Sequence, residues 1–285
     1  MKPLHILSSE HGYFYTSDKV KLHYIDKGEG KSLVMISSWT LSAEQFSAQI
    51  LHFSQRNRVI ALDMRGHGQS EKVDYGYKIY RFAKDLHELF EHLALVNITL
   101  LGHSVGAAVI MCYWELFTGE RLLKLVLVDR PSMTISNPLW TAEQVKHYGA
   151  AMDVHTAMEV RNMIAGNEGD QYKAVLLNCM LTPPISLYMR QRLLDSSQAV
   201  PKEQAAILFY DEVHQDWREV LSLINIPTLI IAGRASPISL SSQQWVKEQI
   251  TGSILIIFEE HEGGKHFPFI DNPIKFNRVI DKFIE

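Results

Sequence analysis

The sequence predicts an α/β protein: a mostly parallel sheet of eight strands, flanked by helices, with a helical cap inserted after the sixth strand. Three observations carry this. Short apolar runs rich in β-branched residues alternate with helical stretches, the rhythm of strand–helix–strand units in a parallel sheet. Runs such as Ser32-Leu-Val-Met-Ile-Ser37 and Lys124-Leu-Val-Leu-Val128 lack the in–out alternation of a half-exposed strand, so they read as buried on both faces. From Pro131 to about Ala205 the rhythm stops, and helical stretches carrying Trp140, Tyr148, Met152, Met158, Met163, Tyr172 and Met180 take over. The expected organisation is therefore a core of residues 1–130 and 206–285, with residues 131–205 forming the cap.

Taken in order, Tyr13–Thr16 and Lys21–Ile25 read as an antiparallel hairpin about a Ser17-Asp18 turn. The buried strand Ser32–Ser37 leads into Ser38-Trp39-Thr40 and a helix over about Ser42–Ser54, with Ser42 a candidate N-cap. The strand Arg58–Leu62 ends in the loop Asp63-Met-Arg-Gly-His-Gly-Gln-Ser70, and a helix follows over about Tyr77–Leu95. Next come the strand Asn97–Leu101, a helix over Ala107–Phe117, and the strand Lys124–Val128, closed by Asp129-Arg130-Pro131. Asn137-Pro138 and Thr182-Pro183-Pro184 interrupt the cap. The sheet resumes with Pro227–Ala232 and ends with Ser253–Phe258; helices follow over about Ser241–Ile250 and Pro273–Ile284.

Bulk properties narrow the partners. A net charge of −4 offers no basic surface for nucleic acid or an anionic membrane. Two cysteines, Cys112 and Cys179, fall in unrelated segments, so a disulfide framework is not expected and a reducing, cytoplasmic setting fits. The amino-terminal residues lack the apolar core of a signal peptide, and no apolar run approaches the ~18–20 residues of a membrane span. No zinc-type ligand spacing or phosphate-binding loop is present, so neither metal nor organic cofactor is expected. The expected partner is a small-molecule substrate, bound by a monomer or homodimer.

One stretch carries chemistry. Gly102-His103-Ser104-Val105-Gly106 lies between a strand and a long, alanine-rich helix. A strand, then G-x-S-x-G, then a helix is the context of a nucleophile elbow. The serine sits on a tight turn with its hydroxyl clear of the backbone. Glycines two residues to either side let strand and helix pass closely. The helix N-terminus then offers free N–H groups to a reacting oxygen.

With this stretch, Ser37-Ser38-Trp39, Asp63-Met64-Arg65-Gly66-His67-Gly68-Gln69-Ser70 and Gly264-Lys265-His266-Phe267, the chain resembles the α/β-hydrolase superfamily over nearly its full length. The resemblance implies Ser104 as nucleophile and His266 as base, with His261 as rival. It places the oxyanion donors at the backbone N–H groups of Val105 and Trp39. Relatives usually carry His-Gly before the second donor, where this chain has Ser37-Ser38. The family most often carries its acid in a Gly-x-x-Asp pattern after the strand ending here at Ala232, but this sequence reads Gly233-Arg234-Ala235-Ser236. Serine cannot supply the buried negative charge. A minority of the family carries the acid one strand earlier, which is Asp129 here; Glu259, Glu260, Glu262 and Asp216 are the fallbacks. His103 and His67 lie inside family motifs and read as structural, although His103, with Trp140 and Met163, is also a candidate for the substrate pocket.

The expected reaction is acyl transfer to water from a small to medium, fairly apolar ester or lactone. Two alternatives stay open. One is a cofactor-free dioxygenase or C–C bond hydrolase of the same fold; the other is a non-catalytic ligand-binding relative.

Overall fold

A hairpin opens the sheet: β1 (His11–Tyr15) and β2 (Lys21–Lys27) pair antiparallel in the computed structural model, which describes residues 10–183 and 185–285. The amino-terminal residues 1–9, read above for a leader, lie outside the described residues, as does Pro184 of the proline break. β3 (Lys31–Ile36) follows, then a 3₁₀ turn over Ala43–Phe46, α1 (Ser47–Phe53) and β4 (Asn57–Leu62). Ser42 precedes that turn, but its side chain makes no cap bond. The buried carboxylate of Asp63 reaches across and accepts from the Ala43 N–H at 2.7 Å instead, so the cap comes from the next strand's end.

α2 (Ile79–His92) buries Ile79, Phe82, Ala83, Leu86, Leu89 and Phe90, the i, i+3, i+4, i+7 pattern of a helix with one apolar face. β5 (Ile98–His103), α3 (Val105–Phe117) and β6 (Leu122–Val128) complete the first half. A run of helices follows: α4 (Ala142–Tyr148), α5 (Val154–Ala165), α6 (Gly169–Met180), α7 (Leu187–Ala199) and α8 (Lys202–Val213). The expected cap boundary at residue 205 falls inside α8, which continues to Val213. The short α9 (Arg218–Leu221), then β7 (Thr228–Gly233), α10 (Leu240–Gln249), β8 (Ile254–Phe258), α11 (Pro268–Asp271) and α12 (Pro273–Ile284) finish the chain.

The strands lie in the order β1-β2-β4-β3-β5-β6-β7-β8. Among the described strands of this sheet, only the β1–β2 and β2–β4 pairs are antiparallel. The central strands are apolar at successive positions because each face covers a different core. Val34, Ile36, Leu125 and Leu127 pack on the side of α2 and α3. Leu33, Met35, Val126 and Val128 pack on the side of α1 and α12. The doubly buried reading of these strands is thus a consequence of helices on both sides. Among the described residues, no helix is long and apolar enough to cross a membrane.

Candidate active site

Ser104 joins β5 to α3 with φ 54° and ψ −113°, a backbone conformation that non-glycine residues rarely adopt. The flanking glycines make the joint possible. A Cβ on Gly102 would lie 2.4 Å from the Gly106 carbonyl carbon, and one on Gly106 would lie 2.3 Å from the Ile36 carbonyl oxygen. Neither position has room for a side chain. The serine backbone is held from both directions: its N–H donates to Val128 O at 2.9 Å, and its carbonyl accepts from Ala107 N at 2.9 Å. Val105 opens α3, so its N–H is one of the helix-end donors with no acceptor inside the helix.

Asp129 follows β6 directly and is fully buried, with φ 51°. Its Oδ2 lies 2.7 Å from Nδ1 of His266, on the loop before α11. A carboxylate only accepts, so Nδ1 carries the proton and Nε2 is left as the basic nitrogen. The same Oδ2 accepts a short hydrogen bond from the Ser236 hydroxyl. His261 and Glu260 are exposed, and the remaining fallback carboxylates pair elsewhere. Glu259 pairs with Arg234, Glu262 with Lys275 and Asp216 with Arg218.

His103 is fully buried; its Nε2 donates to the backbone carbonyl of His266 at 2.8 Å. Burial, reinforced by the neighbouring His266 ring, pushes its pKa well below the ordinary histidine range. It is a neutral strut that fixes the backbone of the base, and it does not line the cavity at Ser104.

That cavity has a volume of about 60 Å³. Ser104, His266 and Trp39 meet there with Leu177, Met180 and Phe267. Lys173, Leu177 and Met180 all come from α6, spaced four and three residues apart, so one face of this cap helix covers the serine. Sequence reasoning included Met180 in the cap stripe but missed its helical partners, although that spacing was readable. Trp140 and Met163, expected at the pocket, lie elsewhere. Trp140 packs edge-on against Tyr148, with its ring under the Arg218 guanidinium. Met163 is 44% exposed and lines an outer groove of the cap with Tyr172 and Val175. Trp140 thus packs beside α4, and Met163 faces the surface of the cap.

Lys173 is fully buried beside the cavity, yet its ammonium group is saturated. Its Nζ donates to Ser197 O at 2.9 Å and Val200 O at 2.7 Å, and pairs with Asp170 at 2.9 Å. Burial holds its pKa below the ordinary lysine value. It secures the carboxyl end of α7 and has no donor left over for a ligand.

The Trp39 loop is built from side-chain bonds. Ser37 Oγ donates to Leu41 O at 2.7 Å, and Leu41 N donates to Ser38 O at 3.1 Å, closing a turn in which Thr40 takes φ 60°. The Ser37 hydroxyl and the Ser38 carbonyl thus clamp the loop. The Thr40 N–H donates to Nε2 of His67 at 3.1 Å. His67 in turn donates through Nδ1 to Arg65 O at 2.9 Å. Burial pushes the His67 pKa down to about 4, so it serves as a neutral acceptor. The Trp39 indole reaches upward and donates to Ala205 O of α8 at 2.9 Å, tying this loop to the cap.

A family model described as alpha/beta hydrolase fold matches residues 31–273. The AB hydrolase superfamily protein YisY of Bacillus subtilis is 27% identical over 278 residues, covering 95% of this chain and 98% of that protein. Among solved structures, a bromoperoxidase from Bacillus anthracis superposes with a TM-score of 0.86 at 24% identity, over 96% of this chain and 99% of that one. An esterase from Exiguobacterium antarcticum does so with a TM-score of 0.85 at 22% identity, over 95% of this chain and 98% of that one. At these identities the two structures speak to the fold alone.

Proposed function

The chain belongs to the α/β-hydrolase fold family, whose match marks an enzyme of that type, and from this premise we propose that it is a serine hydrolase acting on a carboxylic ester or lactone with a short acyl part. One observation carries the reading. Ser104 and His266 line the same covered cavity, and His266 is oriented by a buried aspartate at 2.7 Å. A solved structure of the same fold is named as an esterase.

In the proposed reaction, Ser104 Oγ attacks the carbonyl carbon while His266 Nε2 takes the hydroxyl proton. Asp129 keeps Nδ1 protonated and balances the imidazolium charge. The negative oxygen of the tetrahedral intermediate faces the N–H groups of Val105 and Trp39. Collapse expels the alcohol, protonated by His266, and leaves an acyl group on Ser104. Water, deprotonated by the same nitrogen, then releases the acid and restores the serine.

The test is direct. A fluorophosphonate probe is expected to label the protein at Ser104 and to leave Ser104→Ala unlabelled. Hydrolysis of p-nitrophenyl acetate is expected to vanish in the same variant. Asp129→Asn is expected to cost up to ~10⁴-fold in kcat, as loss of a triad acid does. Labelling that persists without the Ser104 hydroxyl overturns the reading.

A further inference from the structure

We propose that Ser236 is a positioning residue for the acid: its hydroxyl holds the Asp129 carboxylate in the plane and at the distance that His266 needs. The inference rests on the reading of Asp129 as the acid.

A fully buried carboxylate must have its lone pairs satisfied by donors, because water cannot do it. Three donors are present. His266 Nδ1 and Ser236 Oγ both reach Oδ2. The third, Gly233 N, is 3.5 Å from Oδ1, a distance at which a hydrogen bond contributes little. Among the described residues, Ser236 is therefore the one close partner other than the base itself.

The direction of its proton is also set. The Ile238 N–H donates to Ser236 Oγ at 3.1 Å. With that lone pair occupied, the hydroxyl hydrogen is directed at the carboxylate. Asp129 sits on a strained backbone with φ 51°, and β7 ends at Gly233, three residues before Ser236. The neighbouring strand's end thus reaches over to steady a side chain whose own backbone does not favour its conformation. Without this bond the carboxylate can turn about its Cβ–Cγ axis, and the imidazole loses its fixed orientation.

The experiment compares Ser236→Ala, Ser236→Thr and Ser236→Cys with the parent and with Asp129→Asn, on p-nitrophenyl acetate. Ser236→Ala is expected to lower kcat about 10-fold with KM within about twofold, the size of one hydrogen bond to a charged group. Ser236→Thr keeps the hydroxyl and is expected to restore most of kcat. Ser236→Cys, a weak donor of similar size, is expected to fall between them, and it carries the test if the alanine variant does not fold. Wild-type kcat in the alanine or cysteine variant overturns the proposal. So does a loss that threonine leaves unrepaired. If Asp129→Asn itself keeps full activity, the assignment of the acid fails; an inactive Asp129→Asn beside a fully active Ser236→Ala removes the role of Ser236 alone.

Discussion

His67 carries no charge at neutral pH, and its neutrality holds the Trp39 loop: only an unprotonated Nε2 can accept from Thr40 N. Burial holds its pKa near 4 in the folded protein, against 6.5 ordinarily. Between these values the unfolded chain binds a proton that the folded one refuses. Stability therefore rises with pH across the window and is lost as pH falls through it. Urea unfolding at pH 7, 5.5 and 4.5 is expected to show this loss, with His67 supplying roughly 2 kcal/mol of it. His67→Gln, which takes up no proton, is expected to flatten the slope. Which residues line the pocket was less legible at this scale than which polar residues the fold brings together. Ser104, His266 and Asp129 stand out because each residue type is bound to a strand end by a motif or by the failure of Ser236 to carry charge. Trp140 and Met163 had only their apolar character to speak for them. An apolar side chain in a cap packs equally well against a neighbouring helix.

Between β5 and α3 the spacing of two glycines is a statement about backbone clearance, which explains why this joint was readable from sequence. Gly106→Ala is expected to destabilise by about 3 kcal/mol or more, since the added carbon meets the rigid β3 backbone rather than a movable side chain. The midpoint of urea unfolding measures it. In the cap, α6 and α7 are joined by a lysine that no motif announces. Lys173→Met is expected to cost about 1–3 kcal/mol, because it leaves two buried carbonyls without a donor. Glu44→Ala, which removes the surface partner of Arg192, is expected to cost under about 1 kcal/mol. The same unfolding series separates the two. Element ends were the least legible part. The first helix was read as continuous from Ser42, whereas the chain enters it through a 3₁₀ turn capped by Asp63, the residue just past β4.

At the scale of the molecule, core and cap meet over a hollow of about 60 Å³, against roughly 10–15 Å³ needed to hold one water on the same measure. Room of that size suits a short acyl chain. Across p-nitrophenyl esters, kcat/KM is expected to fall at least tenfold from acetate to octanoate, and Leu177→Ala is expected to shift the optimum to longer chains. A flat profile in both proteins contradicts this. The eight-stranded plan was legible because every buried strand declares itself by composition; the size of the hollow was not, because it depends on how closely α6 settles over the serine. The indole bond from Trp39 to Ala205 carries one more consequence. Roof and floor share a beam: a guest too large for the chamber lifts the roof and tugs on the peptide proposed to greet the nascent oxyanion. Oversized guests then suffer twice, in admission and in turnover.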